Sequence, residues 1–181
     1  MTKVNYHILS GAMGAGKSAV LSKLRDTGIH CVPEPAREIL AEQRLIKATG
    51  VPEKNAELFS VLMLSRSIHN YHENSDVANA VLFDRGIPDM VAYARLFRLD
   101  ETSYANAAEE FRYNPKVFYF PAWEEIYTND SERKMSFEDA EAFGAMARSI
   151  YEKLGYHILD VPRVSLDERV QFLLDRIANQ R

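Results

Sequence analysis

The sequence predicts an α/β protein: a three-layer α/β/α sandwich with a five-stranded parallel sheet. Two observations favour this fold. Short apolar segments alternate with longer segments of helical periodicity along the 181 residues, and apolar strands joined by helices pair in parallel with both faces of the sheet covered. A glycine-rich stretch, residues 11–18, follows the first apolar segment, at the point where an open parallel sheet places its ligand sites.

Five short apolar segments are the predicted strands, and the amphipathic segments around them are the predicted helices. The strands cover residues 4–10, 29–32, 80–83, 116–120 and 156–160. The helices cover about residues 17–25, 35–49, 53–76, 88–98, 103–113, 136–154 and 165–177, and the last begins with a capping box of Ser165 and Glu168. No linker interrupts the alternation, so we expect a single domain over residues 1–181.

The composition disfavours several classes of protein. The formal net charge is −4 and no basic face recurs along a helix, so a nucleic-acid partner is not expected. The single cysteine, Cys31, excludes an internal disulfide and fits a reducing compartment. Because no apolar run could span a membrane and the first residues lack a signal-peptide core, we expect a cytoplasmic protein. The oligomeric state stays open, and a homodimer is compatible with the sequence.

Residues 11–18, GAMGAGKS, fit the phosphate-binding pattern G-x-x-x-x-G-K-[ST]. Glycines let backbone N–H groups approach phosphate oxygens, and the following helix directs its positive end at the same anion. Lys17 is expected at the β and γ phosphates and the Ser18 hydroxyl at Mg²⁺. The alternative, a flexible turn, is disfavoured by the strand before it and the helix after it. The predicted nucleotide contacts are Gly11, Ala12, Met13, Gly14, Ala15, Gly16, Lys17, Ser18 and Ala19.

Charged residues follow the second and third predicted strands, at the edge of the sheet where parallel strands end. Glu34 is either a general base that takes the proton of an acceptor hydroxyl or an acid that favours the following helix. Asp84 is either a Mg²⁺ ligand or only a turn former. Arg85 is predicted to neutralise the transferring group or clamp an acceptor phosphate, and an ion pair with Glu34 or Asp89 is compatible with both roles. The predicted catalytic residues are Lys17, Glu34 and Arg85.

The segment from about residue 124 to residue 136 is a predicted lid, because it is polar and lies between the fourth strand and the next helix. Within it, Arg133 is expected to contact the nucleotide, with Lys134 beside it. The alternative is a solvated run of charges. Arg163, just past the fifth strand, is expected either to pack on the adenine face or to be exposed.

These stretches resemble families of P-loop small-molecule kinases. Pro33-Glu34-Pro35 is similar to the Glu-Pro element of deoxynucleoside kinases, whose glutamate is the base for the acceptor hydroxyl. Asp84-Arg85 resembles the Asp-Arg pair of thymidylate kinases, and the strand order resembles both groups and the ribosylnicotinamide kinase domain. The closest resemblance is to "AAA domain" ATPase/kinase-like proteins, through the P-E-P-A-R, D-R-G and P-x-W-x-x-x-Y stretches. It covers nearly the whole chain and implies a P-loop NTPase fold of the nucleoside and nucleotide kinase type.

The chain departs from these families at two places. Deoxynucleoside kinases generally have Glu-Arg-Ser where this chain has Asp84-Arg85-Gly86, and their lids carry several arginines where this one has Arg133 and Lys134. The resemblance implies an ATP- and Mg²⁺-dependent kinase acting on a small acceptor, a nucleoside, a nucleotide or a related metabolite. The alternative is an ATPase switch, a regulatory module that controls a protein partner and has no small-molecule acceptor. No Asn/Thr-Lys-x-Asp element follows a late strand, so GTP specificity is not expected.

Overall fold

The computed structural model describes residues 2–127 and 135–178. Its strands are β1 Tyr6–Gly11, β2 His30–Val32, β3 Val81–Asp84, β4 Lys116–Phe120 and β5 His157–Asp160. Its α-helices are α1 Lys17–Asp26, α2 Pro35–Leu45, α3 Pro52–Glu73, α4 Ile87–Leu96, α5 Thr102–Glu110, α6 Phe137–Lys153 and α7 Leu166–Ala178, and a 3₁₀ helix covers Glu124–Ile126. Every predicted strand and helix is found in the described residues, in the predicted order.

All five strands of the sheet run parallel, in the order β2-β3-β1-β4-β5. β1 is the central strand, and its Leu9 lies opposite Asp84 of β3 and Phe118 of β4. The carboxyl ends of β1, β2 and β3 therefore lie at one edge of the sheet. The glycine-rich loop, Glu34 and Arg85 follow these three ends, so the topology brings them together.

Helices cover both faces of the sheet. Side chains alternate along β1, so that Ile8 packs into one core and Leu9 into the other. The first core joins the sheet to α2–α6, with Met90 of α4 among its buried side chains. The second joins the sheet to α1 and α7 through Leu24 and Leu173. The predicted three-layer sandwich is confirmed.

Two helix boundaries show how far sequence signals determine the ends of the helices. The predicted capping box of α7 forms, because the Glu168 N–H donates to Ser165 Oγ at 3.3 Å and the Ser165 N–H donates to Glu168 Oε2 at 3.1 Å. The helix predicted over residues 35–49 instead ends at Leu45, since the chain turns through Lys47, which has a φ of 56°. Within the described residues, no helix has both the length and the apolar character needed to cross a bilayer.

Candidate active site

The loop between β1 and α1 has the tight backbone that a phosphate-binding loop requires. Gly11 has a φ of +122°, and a Cβ at this position would lie 2.2 Å from the carbonyl oxygen of Phe120. Gly16, directly before α1, has a φ of +84°. L side chains rarely adopt these angles, so both positions favour glycine. The Ala12 N–H donates to the Phe120 carbonyl at 3.0 Å, which anchors the loop to β4.

A cavity of about 370 Å³ opens over the loop and the first turn of α1. Its loop lining is Met13, Gly14, Gly16, Lys17, Ser18 and Ala19, while Gly11, Ala12 and Ala15 are buried in the loop itself. The Lys17 Nζ donates to the Ala12 carbonyl at 2.7 Å. Burial, together with the Arg85 charge, lowers the pKa of Lys17 to about 8 against the attraction of nearby carboxylates. A buried ammonium group at the wall of a polar cavity favours an anionic ligand.

Ser18 and Asp84 meet at the wall of the same cavity. The Ser18 hydroxyl donates to Asp84 Oδ2 at 3.1 Å. The other oxygen, Oδ1, is buried and accepts no hydrogen bond from the described residues. Burial and the charge of Glu34 raise the pKa of Asp84, and Lys17 and Arg85 only partly offset them. A buried carboxylate oxygen without a donor, beside a hydroxyl, fits an oxygen-liganded cation such as Mg²⁺.

Glu34 is the residue before α2, and its carboxylate also lines the cavity. Oε1 accepts hydrogen bonds from Arg85 Nε at 2.8 Å and from the Tyr93 hydroxyl at 2.7 Å. Burial favours the neutral carboxyl group, but Arg85, Tyr93 and Lys17 together outweigh it and hold the pKa of Glu34 below its usual value. The side chain makes no capping hydrogen bond to α2. Its contacts are those of an ionised carboxylate in the site.

Arg85 connects the phosphate loop to Glu34. Its side chain is 2% exposed, and its Nη1 donates to the Gly11 carbonyl at 3.1 Å and to Asp89 Oδ1 at 3.0 Å. The guanidinium lies 5.0 Å from the centroid of the Phe143 ring. Both ion pairs considered from the sequence, with Glu34 and with Asp89, are therefore present. Arg85 also has a φ of 68°, and such uncommon backbone angles cluster at functional sites.

Asp89 holds Arg85 in place. The sequence suggested an ion pair between them but not the other hydrogen bonds that the Asp89 carboxylate accepts. The carboxylate is fully buried and accepts four hydrogen bonds. Oδ1 accepts from the Ser10 hydroxyl at 2.7 Å as well as from Arg85. Oδ2 accepts from the Gly86 N–H at 3.0 Å and from the Tyr151 hydroxyl at 2.5 Å. This network joins β1, α4 and α6 behind the site.

A helical spacing identifies two members of this network. Asp89 and Tyr93 of α4 lie four residues apart, and positions four apart share one face of a helix. Tyr93, which donates to Glu34, was missed in the sequence although this spacing places it there. Tyr151 comes from α6, and no spacing in the sequence relates it to α4.

A second cavity, of about 260 Å³, shares Glu34 and Met13 with the first. Its walls come mainly from α2, α3 and α4. They are mostly apolar, with lining side chains that include Ala36, Leu40, Pro52, Phe59, Tyr93, Leu96 and Phe97. The Glu34 carboxylate is thus part of a polar cavity over the loop and of an apolar cavity beside it.

A family model described as "AAA domain" matches residues 6–169. The chain belongs to this AAA domain family. The match spans all five strands and includes the phosphate loop, Glu34, Asp84 and Arg85. No curated protein matched this AAA domain protein in a sequence comparison.

Solved structures of two small-molecule kinases and of the NadR protein share the fold of the AAA domain protein. Deoxyadenosine kinase from M. mycoides with bound dATP is similar with a TM-score of 0.65 and 16% identity, over 98% of this chain and 100% of that chain. The NadR protein in complex with NR has a TM-score of 0.68 and 18% identity, over 98% of this chain and 51% of that chain. Thymidylate kinase from Candida albicans has a TM-score of 0.63 and 14% identity, over 97% of this chain and 91% of that chain. The predicted nucleoside and nucleotide kinase type of fold is confirmed.

The nucleotide contacts predicted outside the loop of the AAA domain protein are Arg163 and Arg133. Arg163 is exposed, and its Nη2 donates to a backbone carbonyl at 2.6 Å. Arg133 belongs to residues 128–134 of the predicted lid, which lie outside the described residues. The nucleotide-binding roles of both arginines stay predictions. Two residues that the sequence did not single out, Ile126 of the 3₁₀ helix and Arg169 of α7, do line the cavity.

Proposed function

We propose that this protein transfers the γ-phosphoryl group of ATP to a hydroxyl group of a small acceptor, namely a nucleoside, a nucleotide or a related metabolite. The observation that carries the proposal is the position of Glu34. Its carboxylate lines both the cavity over the phosphate loop and the apolar cavity beside it. A base shared by a donor site and an acceptor site is the arrangement that phosphoryl transfer to a hydroxyl requires.

The donor site in this proposal is the cavity over the loop. The loop N–H groups and the positive end of α1 bind the phosphates, and the Lys17 ammonium exchanges the Ala12 carbonyl for phosphate oxygens. Ser18 and Asp84 are the residues that would hold Mg²⁺, which when bound neutralises charge on the β and γ phosphates. The similar fold of a deoxyadenosine kinase with bound dATP supports a nucleotide at this loop.

The acceptor site is the second cavity. The rings of Phe59 and Phe97 in its wall suit the flat face of an aromatic group such as a nucleobase. Arg85 and Tyr93 hold Oε1 of Glu34, so that Oε2 is available to accept the proton of the acceptor hydroxyl. As the new O–P bond forms, the bond between the γ-phosphorus and the ADP oxygen breaks. The proton passes to Glu34, and the bond electrons leave with ADP.

Arg85 serves both sites. It lines the donor cavity, where its permanent positive charge stabilises the charge on the transferring phosphoryl group. Through Nε it also keeps Glu34 ionised and in place. Asp89 lines neither cavity but fixes the guanidinium, so it is a positioning residue.

The substitution Glu34→Gln tests the proposal, because glutamine has nearly the same size but cannot take a proton. General-base catalysis contributes about 10²–10⁴-fold, so acceptor-dependent turnover should fall by about that factor. ATP affinity should change little, since the loop holds the phosphates without Glu34. Acceptor-dependent turnover is measured as ADP production with and without a panel of nucleosides and nucleotides. ATP affinity is measured by titration calorimetry.

The matched control is Glu42→Gln. Glu42 lies two turns further along α2, is exposed, and pairs with Arg66, so its replacement should leave turnover unchanged. Unchanged turnover in Glu34→Gln would show that Glu34 is not the base. Tight ATP binding by the wild type with no acceptor-dependent turnover would instead support the ATPase switch, which needs a positioned water and has no use for an apolar acceptor cavity.

A further inference from the structure

Arg169 on α7 lies against the phosphate loop. It is 7% exposed, and its Nη1 is 3.4 Å from the Ala15 carbonyl oxygen. A Cβ on Gly16 would lie only 2.6 Å from the same nitrogen. Arg169 lines the loop cavity together with Lys17 and Ser18, although it is 151 positions after Ser18 in the sequence. The last helix therefore brings a third cation to the loop cavity, after Lys17 and Arg85.

The positive charge of Arg169 has no carboxylate partner among the described residues. The two acidic residues before it on α7 are engaged elsewhere, Asp167 with Lys23 and Glu168 with Ser165 in the helix cap. Apart from the Ala15 carbonyl, the guanidinium contacts the face of the Trp123 ring, 5.3 Å from its centroid. Its Nε is buried and makes no hydrogen bond within the described part of the chain.

A buried cation with an unbonded N–H group is costly for a protein unless an anion joins it. Arginine cannot relieve this cost by losing its proton, because it stays charged in proteins. The cavity that Arg169 lines also has a buried lysine and the positive end of a helix in its wall, which together attract phosphate. These features favour an anionic ligand beside Arg169.

We propose that Arg169 binds the phosphate chain of the nucleotide held by the loop, as a third cation beside Lys17 and Arg85. This inference rests on the proposed function, because it needs a nucleotide in the loop cavity. In the nucleotide-free protein, the Trp123 ring and the Ala15 carbonyl hold the guanidinium beside the loop, where the phosphate chain would bind. A guanidinium in this position forms charge-assisted hydrogen bonds to phosphate oxygens, which are stronger than those between neutral groups.

The test is the substitution Arg169→Met, which keeps an unbranched apolar stem and removes the charge. Calorimetric affinity for MgATP should fall about 10- to 100-fold, the range for hydrogen bonds to charged groups. The affinity for MgCTP should fall by the same factor, because both ligands share the phosphate chain. The melting temperature without nucleotide should stay the same or rise, since an unpaired buried charge is removed. Arg169→Lys, which keeps a point charge, should lose less affinity.

The matched control is Arg176→Met on the same helix, where the guanidinium packs on the Phe172 ring away from the cavity lining. It should leave nucleotide affinity unchanged. Unchanged affinity in Arg169→Met, a loss for MgATP but not for MgCTP, or a lower melting temperature without nucleotide would each overturn the inference. The last result would make Arg169 a structural support of the loop. If the wild type itself binds no nucleotide, the result contradicts the proposed function. If the wild type binds nucleotide and Arg169→Met binds it equally well, the result contradicts only the role of Arg169.

Discussion

The nucleotide affinity of this protein should fall as the pH is raised above about 8. Lys17 is the group responsible, because its pKa in the nucleotide-free protein is lowered to about 8, chiefly by burial and then by the charge of Arg85. Phosphate oxygens favour the charged ammonium, so a bound nucleotide raises the pKa again. Binding therefore takes up a proton at any pH between the two values, and a protein that has lost the Lys17 proton binds more weakly.

The magnitude follows from the pKa of Lys17. At pH 7 about nine in ten molecules carry the proton, and at pH 9 only about one in ten does. The dissociation constant for MgATP should therefore rise about tenfold between pH 7 and pH 9, which is about 1.4 kcal/mol of binding free energy. The phosphate chain adds no titration of its own in this range, because the second pKa of a phosphate group is near 6.

Titration calorimetry in two buffers of different ionisation enthalpy measures both the affinity and the proton uptake. Lys17→Arg is the control, because a guanidinium stays charged up to high pH and its affinity, although weaker, should not depend on pH between 7 and 9. Equal wild-type affinity at pH 7 and pH 9 would refute the reasoning. An equal pH dependence in Lys17→Arg would assign the titration to another group.

Three further predictions concern the metal, the base and the acceptor. Asp84→Asn keeps the shape of the side chain but not its charge, so the Mg²⁺ concentration for half-maximal turnover should rise at least about tenfold; an unchanged Mg²⁺ titration would leave Asp84 as a turn residue. Tyr93→Phe removes a donor that keeps the pKa of Glu34 low. The rate falls as the pH drops through that pKa, so in the variant a pH–rate profile should show the fall beginning at higher pH; an unmoved profile would contradict this. Phe97→Ala should raise KM for the acceptor about tenfold and leave ATP affinity intact; a changed ATP affinity would place Phe97 outside the acceptor site.

The phosphate loop could be predicted from the sequence because all of its determinants are local. The glycines and Lys17 lie within one short stretch, and the strand before it and helix after it are visible in the periodicity. The contact between Ser18 and Asp84 could also be anticipated, since parallel strands end at the same edge of a sheet. Glu34 was placed near both by the same argument.

The supports of the site could not be predicted, because they depend on how distant helices pack on the sheet. Tyr151 meets Asp89 across 62 residues, and Arg169 meets Ala15 across 154. Both contacts depend on the angles at which α6 and α7 pack on the sheet. No local pattern in the sequence predicts these angles. Local patterns also failed at the end of α2: the helix was predicted to continue to residue 49, but it ends at Leu45 because the chain turns through Lys47.

The cavity that we propose for the acceptor has two walls of unlike character. On one side, Glu34 and Tyr93 belong to a hydrogen-bonded network that Arg85 and Asp89 hold together, and this network fixes the proposed base. On the other side, residues such as Phe59 contribute only packing surface. For the proposed kinase, evolvability is therefore unevenly distributed: substitutions in the apolar wall can exchange one acceptor for another while the residues proposed for catalysis are inherited unchanged. One reaction can in this way diversify into a set of enzymes with different substrates.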